Sequence, residues 1–257
     1  MRTGEIEMQN VSERYQTSAH PIRILQFGEG NFLRAFADYA IDAANEERNF
    51  DAGIAIVMPR AGKSDRFSKQ HNIYTVCLRG QQDGAVYTEN RVITSVQTVL
   101  SARDEFDAVL GLAHEEQLEF VISNTTEAGI VFDESDSFTD IPPVTFPAKL
   151  TRILYERYTY YEGDTHKGLV MLPTELNDHN GELLRSCVQQ YAACWQLGEG
   201  FCQWLDASCS FVDTLVDRIV TGYPSDTIDS LQEELGYEDQ LLVQAEPFSL
   251  WVIGSPE

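Results

Sequence analysis

Ile24-Leu25-Gln26-Phe27-Gly28-Glu29-Gly30-Asn31-Phe32-Leu33-Arg34-Ala35 is the stretch on which the fold turns. An apolar run over 22–27 stops at Gly28-Glu29-Gly30, as a buried strand does on entering a tight turn. Over 31–44, Phe32, Leu33, Phe36, Tyr39, Ala40 and Ala43 recur at helical spacing. Residues 53–58 read GIAIVM, a second short buried strand, and Pro59 stops it. Strand, glycine turn, helix and strand make a βαβ unit, which implies a parallel sheet. Two glycines at this spacing let the backbone approach a pyrophosphate seated at the positive end of a helix. Leu33 replaces the third glycine of the usual fingerprint. On pattern alone, residues 24–35 form either a dinucleotide cradle or an ordinary strand–helix turn.

Working outward, the alternation continues less regularly. Residues 73–79, 85–95, 119–123 and 168–172 read as strands, rich in β-branched and aromatic side chains. Residues 101–116 read as a helix with Ser101 as N-cap, and 148–160, 180–197, 200–206 and 225–235 as further helices. Residues 248–253 form an apolar strand, expected to be buried. A compact fold rarely finishes on such a strand, so the chain is expected to be cut short of its natural end. The expected architecture is α/β: a Rossmann-like, doubly wound, mostly parallel sheet with helices on both faces. Residues 1–20 form an irregular arm and 21–257 a single dinucleotide-binding domain.

The 257 residues, 43% of them hydrophobic, suffice for one sizeable core. A formal charge of -23 disfavours nucleic acid and anionic membrane surfaces as partners. No apolar stretch is long enough to span a bilayer, and the polar N-terminus lacks the apolar centre of an export signal. The five cysteines are odd in number and unclustered. They read as reduced thiols of a cytoplasmic protein rather than as metal ligands.

Three loops concentrate polar groups. Asn124 and Thr125 follow the strand at 119–123, where a doubly wound sheet lines its ligand crevice; the alternative is a polar turn that caps a helix. Glu175, Asn177, Asp178, His179 and Asn180 follow the strand at 168–172. Such a group is able to orient hydroxyls or polarise a carbonyl, or simply to cap the next helix. Asp217 and Arg218 are neighbours in an apolar context. The second strand ends Val57-Met58-Pro59-Arg60, without the carboxylate that grips a ribose. Arg60 is either a ligand for a 2′-phosphate or a solvated loop cation.

Together these segments resemble the mannitol dehydrogenase family of long-chain polyol-specific dehydrogenases. Gly28 to Ala35 matches the family's opening turn, Asn180-Gly181 its Asn-Gly loop, and Val216 to Ile219 its Val-Asp-Arg-Ile signature. QFGEGNFLRAF, SNTTEAGI, PAKLTR, LVDRIVTGYP and EELGY look like its tagaturonate reductase branch. The resemblance implies NAD as cofactor, no metal, and interconversion of the sugar acids tagaturonate and altronate. It places the dinucleotide along Ile24, Phe27, Gly28, Glu29, Gly30, Asn31, Phe32, Leu33, Arg34 and Ala35, with Asn124 and Thr125 near the nicotinamide. Asp217 falls at the cofactor–substrate junction. Where polyol dehydrogenases of the family carry an Asp-Asn pair, this chain has Glu175-Leu176, so the pair's role of holding the reacting oxygen passes to Asn177 or Asn180. The family's catalytic lysine lies in a C-terminal helical domain, which is expected to be missing. The fragment is therefore expected to be inactive alone and to self-associate through the surface so exposed. The alternatives are fructuronate reductase, mannitol dehydrogenase, or a non-catalytic nucleotide-binding module.

Overall fold

The computed structural model describes residues 8–59, 65–126 and 128–254. Its strands are β1 (Ile22–Phe27), β2 (Gly53–Met58), β3 (Tyr74–Gln82), β4 (Ala85–Ile93), β5 (Val96–Ser101), β6 (Phe120–Ser123), β7 (Val170–Pro173), β8 (Ser210–Phe211), β9 (Thr214–Asp217), β10 (Val220–Gly222), β11 (Val243–Ala245) and β12 (Leu250–Ile253). Six of them pair in parallel in the order β5-β2-β1-β6-β7-β8. The winding runs outward from β1 to β5, then returns to β6 and runs the other way. That is the doubly wound Rossmann order, with its switch point between β1 and β6.

Both faces of the central strands are apolar, as a sheet covered on two sides requires. Leu25, Phe27, Ala55, Val57, Val121 and Met171 face one way. They pack against the helices Phe106–Gly111, Phe146–Tyr160, Asn180–Cys194 and Glu199–Ser208. Ile24, Ile54, Ile56, Ile122 and Leu172 face the other way, against Leu33, Phe36 and Ile41 of the 31–48 helix and against a second sheet. That second sheet, β10-β11-β3-β4, corrects the expected single alternation. Asp83 (φ 53°) and Gly84 (φ 79°) form a two-residue turn with both residues left-handed, which folds β3 directly back onto β4.

Three other expectations change. Ser101 caps a turn rather than the helix itself, its Oγ accepting from Asp104 N at 3.2 Å. It ends β5, paired with Met58, and the helix starts only at Phe106. The arm is partly built: Asn10 caps a helical turn at Val11–Arg14, and Val11 is buried against Ile73 and Tyr237. The strand at 248–253 is not buried. β12 pairs antiparallel with β9 in a two-stranded ribbon that leaves Leu215, Leu250, Val252 and Ile253 exposed. No helix among the described residues is long and apolar enough to cross a membrane.

The 31–48 helix is interrupted. Asn31–Leu33 and Tyr39–Arg48 are α-helical, whereas Arg34–Asp38 is a wider π segment. Here the Tyr39 N–H donates to Phe36 O, and Ala35 O accepts from Arg218 Nη1 at 2.6 Å. Arg218 is buried, lies 4.9 Å from the Tyr39 ring centroid, and also donates to Phe248 O and Pro247 O. It thus joins the end of β9 to the helix behind the glycine turn. Arg218→Met keeps the bulk but strands buried carbonyls, each costing about 1–3 kcal/mol. The expected loss is about 2–4 kcal/mol, read as a melting temperature lower by roughly 5–15 °C.

Candidate functional site

Gly28 sits at the carboxyl end of β1 with φ +118°, a backbone conformation that L side chains rarely adopt. Its N–H donates to Val57 O (3.0 Å), and a Cβ there would lie 3.2 Å from Asn124 O. β1, β2 and the loop after β6 are therefore stitched together at one residue that has to be glycine. Gly30 differs. Its φ of -64° suits any residue, it occupies the N-cap of the 31–48 helix, and a Cβ there would meet no protein atom within 4 Å. Nothing in the protein's own packing calls for glycine at 30. Space kept open at a helix N-terminus suits close approach by an anionic group.

The sequence assigned ligand contact to the whole of residues 24–35, and the structure divides them. Phe27, Gly28, Glu29 and Gly30 line a cleft of about 560 Å³, together with Asn124 and Thr125. Phe32 lines a smaller adjoining cleft. Ile24, Leu33 and Ala35 are core residues and do not reach either cleft. Arg34 is likewise turned inward and buried. It donates to Glu29 O, Leu241 O and Asn31 Oδ1 and lies 5.2 Å from the Tyr74 ring centroid. Beside it, Gln26 donates to Gly28 O (3.1 Å). These groups hold the turn from behind, so Arg34 positions the cradle rather than touching what occupies it. Arg60 lies outside the described residues.

Asp38 belongs to the same buried layer and accepts from the Tyr74 hydroxyl. Burial pushes its carboxyl up to about 7, although Tyr74, Arg34 and Gln26 pull the other way.

The front of the site is a row of loops bonded to one another. Asn124 Nδ2 donates to Thr174 O (2.9 Å) and to Thr174 Oγ1 (3.1 Å). Thr174 N and Oγ1 both donate to Ser123 O at 2.8 Å. Glu175 is buried and accepts from Ser123 Oγ, Thr125 N and Thr125 Oγ1 at 2.8–3.0 Å. Asn180 is also fully buried. Its Nδ2 donates to Pro173 O, Glu175 O and Thr214 O, and its Oδ1 accepts from Thr214 N. All its polar capacity goes to backbone, so Asn180 braces the loop and does not itself hold a substrate oxygen. Asp213 caps the adjoining helix through Gly181 N and Glu182 N. Gly181 allows the close approach, because a Cβ there would fall 2.5 Å from Val212 C.

Asn124 is shared between the 560 Å³ cleft and the smaller one of about 350 Å³, which Thr174, Leu176 and Asp217 also line. Leu176 leads on to a third hollow that includes Asn177 and His179. The structure thus gathers Asn124, Thr125, Asn177 and Asp217 along one track. Thr174 and the cleft-lining Lys149 were missed as site residues, and Glu175, named with its loop, turns out to be enclosed behind the cleft. Lys149 is held to Val144 O and Thr145 O, and burial lowers its pKa. Another cleft, about 660 Å³ around Asp42, Glu46, Glu89 and Arg91, lies away from the switch point.

Comparison with known proteins agrees with this fold. Residues 22–257 match the family model of the mannitol dehydrogenase Rossmann domain. An altronate oxidoreductase of Yersinia enterocolitica is 47% identical over 253 residues, 97% of this chain and 52% of its own length. That of Bacillus subtilis is 46% identical over 249 residues, 96% of this chain and 52% of its own. The chain spans about half the length of the curated relatives it matches. Among solved structures, mannitol 2-dehydrogenase of Pseudomonas fluorescens, in ternary complex with NAD and D-mannitol, superposes with TM-score 0.78. It is 25% identical and covers 93% of this chain and 50% of that one. A D-sorbitol dehydrogenase shares the fold, with TM-score 0.74 at 21% identity, over 93% of this chain and 52% of that one.

Two outcomes follow from the turn. Gly28→Ala forces a strained backbone and is expected to cost about 1–3 kcal/mol. Gly30→Ala meets no atom and is expected to cost under about 1 kcal/mol; chemical denaturation compares the two. The second concerns Asp38. Its folded pKa lies above the unfolded value, so its contribution is full below about pH 4 and is lost as pH rises through about 7. From pH 5 to pH 8 the wild type is expected to lose as much as about 2–3 kcal/mol more than Asp38→Asn, which keeps an acceptor for Tyr74.

Proposed function

The chain belongs to the mannitol dehydrogenase family, and from that footing we propose that it forms the dinucleotide-binding half of an NAD-dependent oxidoreductase interconverting tagaturonate and altronate. The observation that carries this reading is the Gly28–Gly30 turn at the switch point, open in front and braced behind. The substrate class is supported by the altronate oxidoreductase relatives. NAD, when bound, supplies the hydride acceptor. The residues present fit it: backbone N–H groups at the start of the 31–48 helix face the place of the pyrophosphate, and Gly30 leaves room for it.

The adenosine half belongs on the β2 side, where Val57 and Pro59 line the cleft, because the second strand's end carries the ribose partner in this fold. The nicotinamide half then belongs by Asn124, Thr125 and Phe32. Asn124 Oδ1 and the Asp217 carboxylate offer acceptors to the hydroxyls of a sugar acid entering the smaller cleft, with Asn177 beyond them. Leu176 brings an apolar side chain to that junction. This separates the site from the polyol dehydrogenases, whose Asp-Asn pair it interrupts.

Calorimetric titration of the chain with NADH and with NADPH tests the proposal. NADH is expected to bind, and Gly30→Trp to abolish binding while lowering the melting temperature by no more than about 5 °C. Tighter NADPH binding would shift the preference to the phosphorylated cofactor. Binding of neither by a folded chain would overturn the reading. With NAD present, altronate is expected to bind in preference to D-mannitol; the reverse would move the substrate to a polyol.

A further inference from the structure

Glu175 is a buried carboxylate, 3% exposed, whose three hydrogen bonds all come from one loop: Ser123 Oγ at 3.0 Å, Thr125 N at 2.8 Å and Thr125 Oγ1 at 3.0 Å. A buried charge is tolerated only when donors satisfy it, and charge-assisted bonds are roughly twice as strong as neutral ones. The Glu175 carbonyl is itself held by Asn180 Nδ2 at 2.9 Å, and Asn180 is bonded in turn to β9 at Thr214. The side chain therefore grips the 123–125 loop from a brace that is fixed elsewhere. That loop is the shared wall of the two clefts. Asn124 lines both, and its carbonyl packs on Gly28. Thr125 lines the larger one.

We propose that Glu175 is a positioning residue that sets the 123–125 loop, and with it the placement of the nicotinamide half of a bound dinucleotide against the sugar-side cleft. The residue borders the third hollow, but its carboxylate is spent on Ser123 and Thr125 and acts through Asn124 and Thr125. The assignment rests on the dinucleotide-binding reading above. It implies an asymmetry that a general packing role lacks. The adenosine half is held on the β2 side, beyond the reach of Glu175, so loss of the carboxylate loosens one half of the ligand only.

The test titrates the wild-type chain, Glu175→Ala and Glu175→Gln with NADH and with AMP, and follows amide hydrogen exchange across 123–126 without ligand. Glu175→Ala is expected to weaken NADH by about 10- to 100-fold, the scale of losing hydrogen bonds to a charged group. AMP should change by less than about twofold, the limit of a half-site that the loop does not touch. Glu175→Gln, which keeps one acceptor, should fall between wild type and Ala. Exchange should quicken at 124 and 125 while the amides of β1 stay protected. Should Glu175→Ala fail to fold, Thr125→Val removes one of the same bonds from the other side and should show the same NADH-against-AMP split, smaller in size. Parallel loss of both ligands, unchanged NADH affinity, or unchanged exchange at 124 and 125 would overturn the assignment. A wild-type chain that binds no NADH refutes the functional reading instead, and the ligand-free exchange still decides whether Glu175 holds the loop.

Discussion

At the carboxyl edge of a parallel sheet, each strand's last carbonyl runs out of ladder partners and has to find a donor in the loops. In β1, β6 and β7 it is bonded by the neighbouring connection. Phe27 O takes Asn124 N, Ser123 O takes Thr174 N and Oγ1, and Pro173 O takes Asn180 Nδ2. The satisfaction of one strand thereby fixes the loop of the next, from β1 through β6 and β7 to β9. The clefts are the front surface of that row. Their shape is a by-product of meeting the sheet's own hydrogen-bonding needs, which is why hydrogen-bonding side chains recur at 123–125 and at 174–175.

Behind the row the chemistry changes character. Arg34 and Arg218 are buried, and both donate mainly to backbone carbonyls rather than to carboxylates. Arg157 and Lys149 do the same in the other core. This bears on the charge of -23. Several cations are enclosed as struts, and most of the acids remain on a surface that repels other anions. An anionic ligand must then be attracted locally, by oriented backbone N–H groups at the turn, where a helix end concentrates about half a positive charge.

Much of the sheet was legible because parallel strands are apolar on both faces, and GIAIVM or EFVIS states that plainly. The glycine turn, the 123–125 loop and the Asn-Gly loop were legible for a related reason: each sits directly after such a strand. What could not be read was direction. Within residues 24–35, periodicity does not tell Arg34, which turns inward at a π segment, from Glu29, which lines the cleft. Asn180 and Asn177 look alike in sequence, yet only Asn180 is enclosed by three carbonyls from Pro173, Glu175 and Thr214. The hairpin at Asp83-Gly84 carried a local signal that was overlooked, and the strand at 250–253 was misjudged because an apolar run does not say whether a partner covers it.

The glycine turn is contiguous in sequence, but its supports are not. Arg34 reaches Leu241 O, 207 residues downstream, and Ala35 O is taken by Arg218, 183 residues downstream. During synthesis at about 5–20 residues per second, the motif would emerge some 10–40 s before either partner exists. Contacts this distant also carry a large loop-closure cost, so they are expected to form late and to slow folding. The order of assembly is therefore the reverse of the order of the sequence: the segment that appears first is among the last to become rigid.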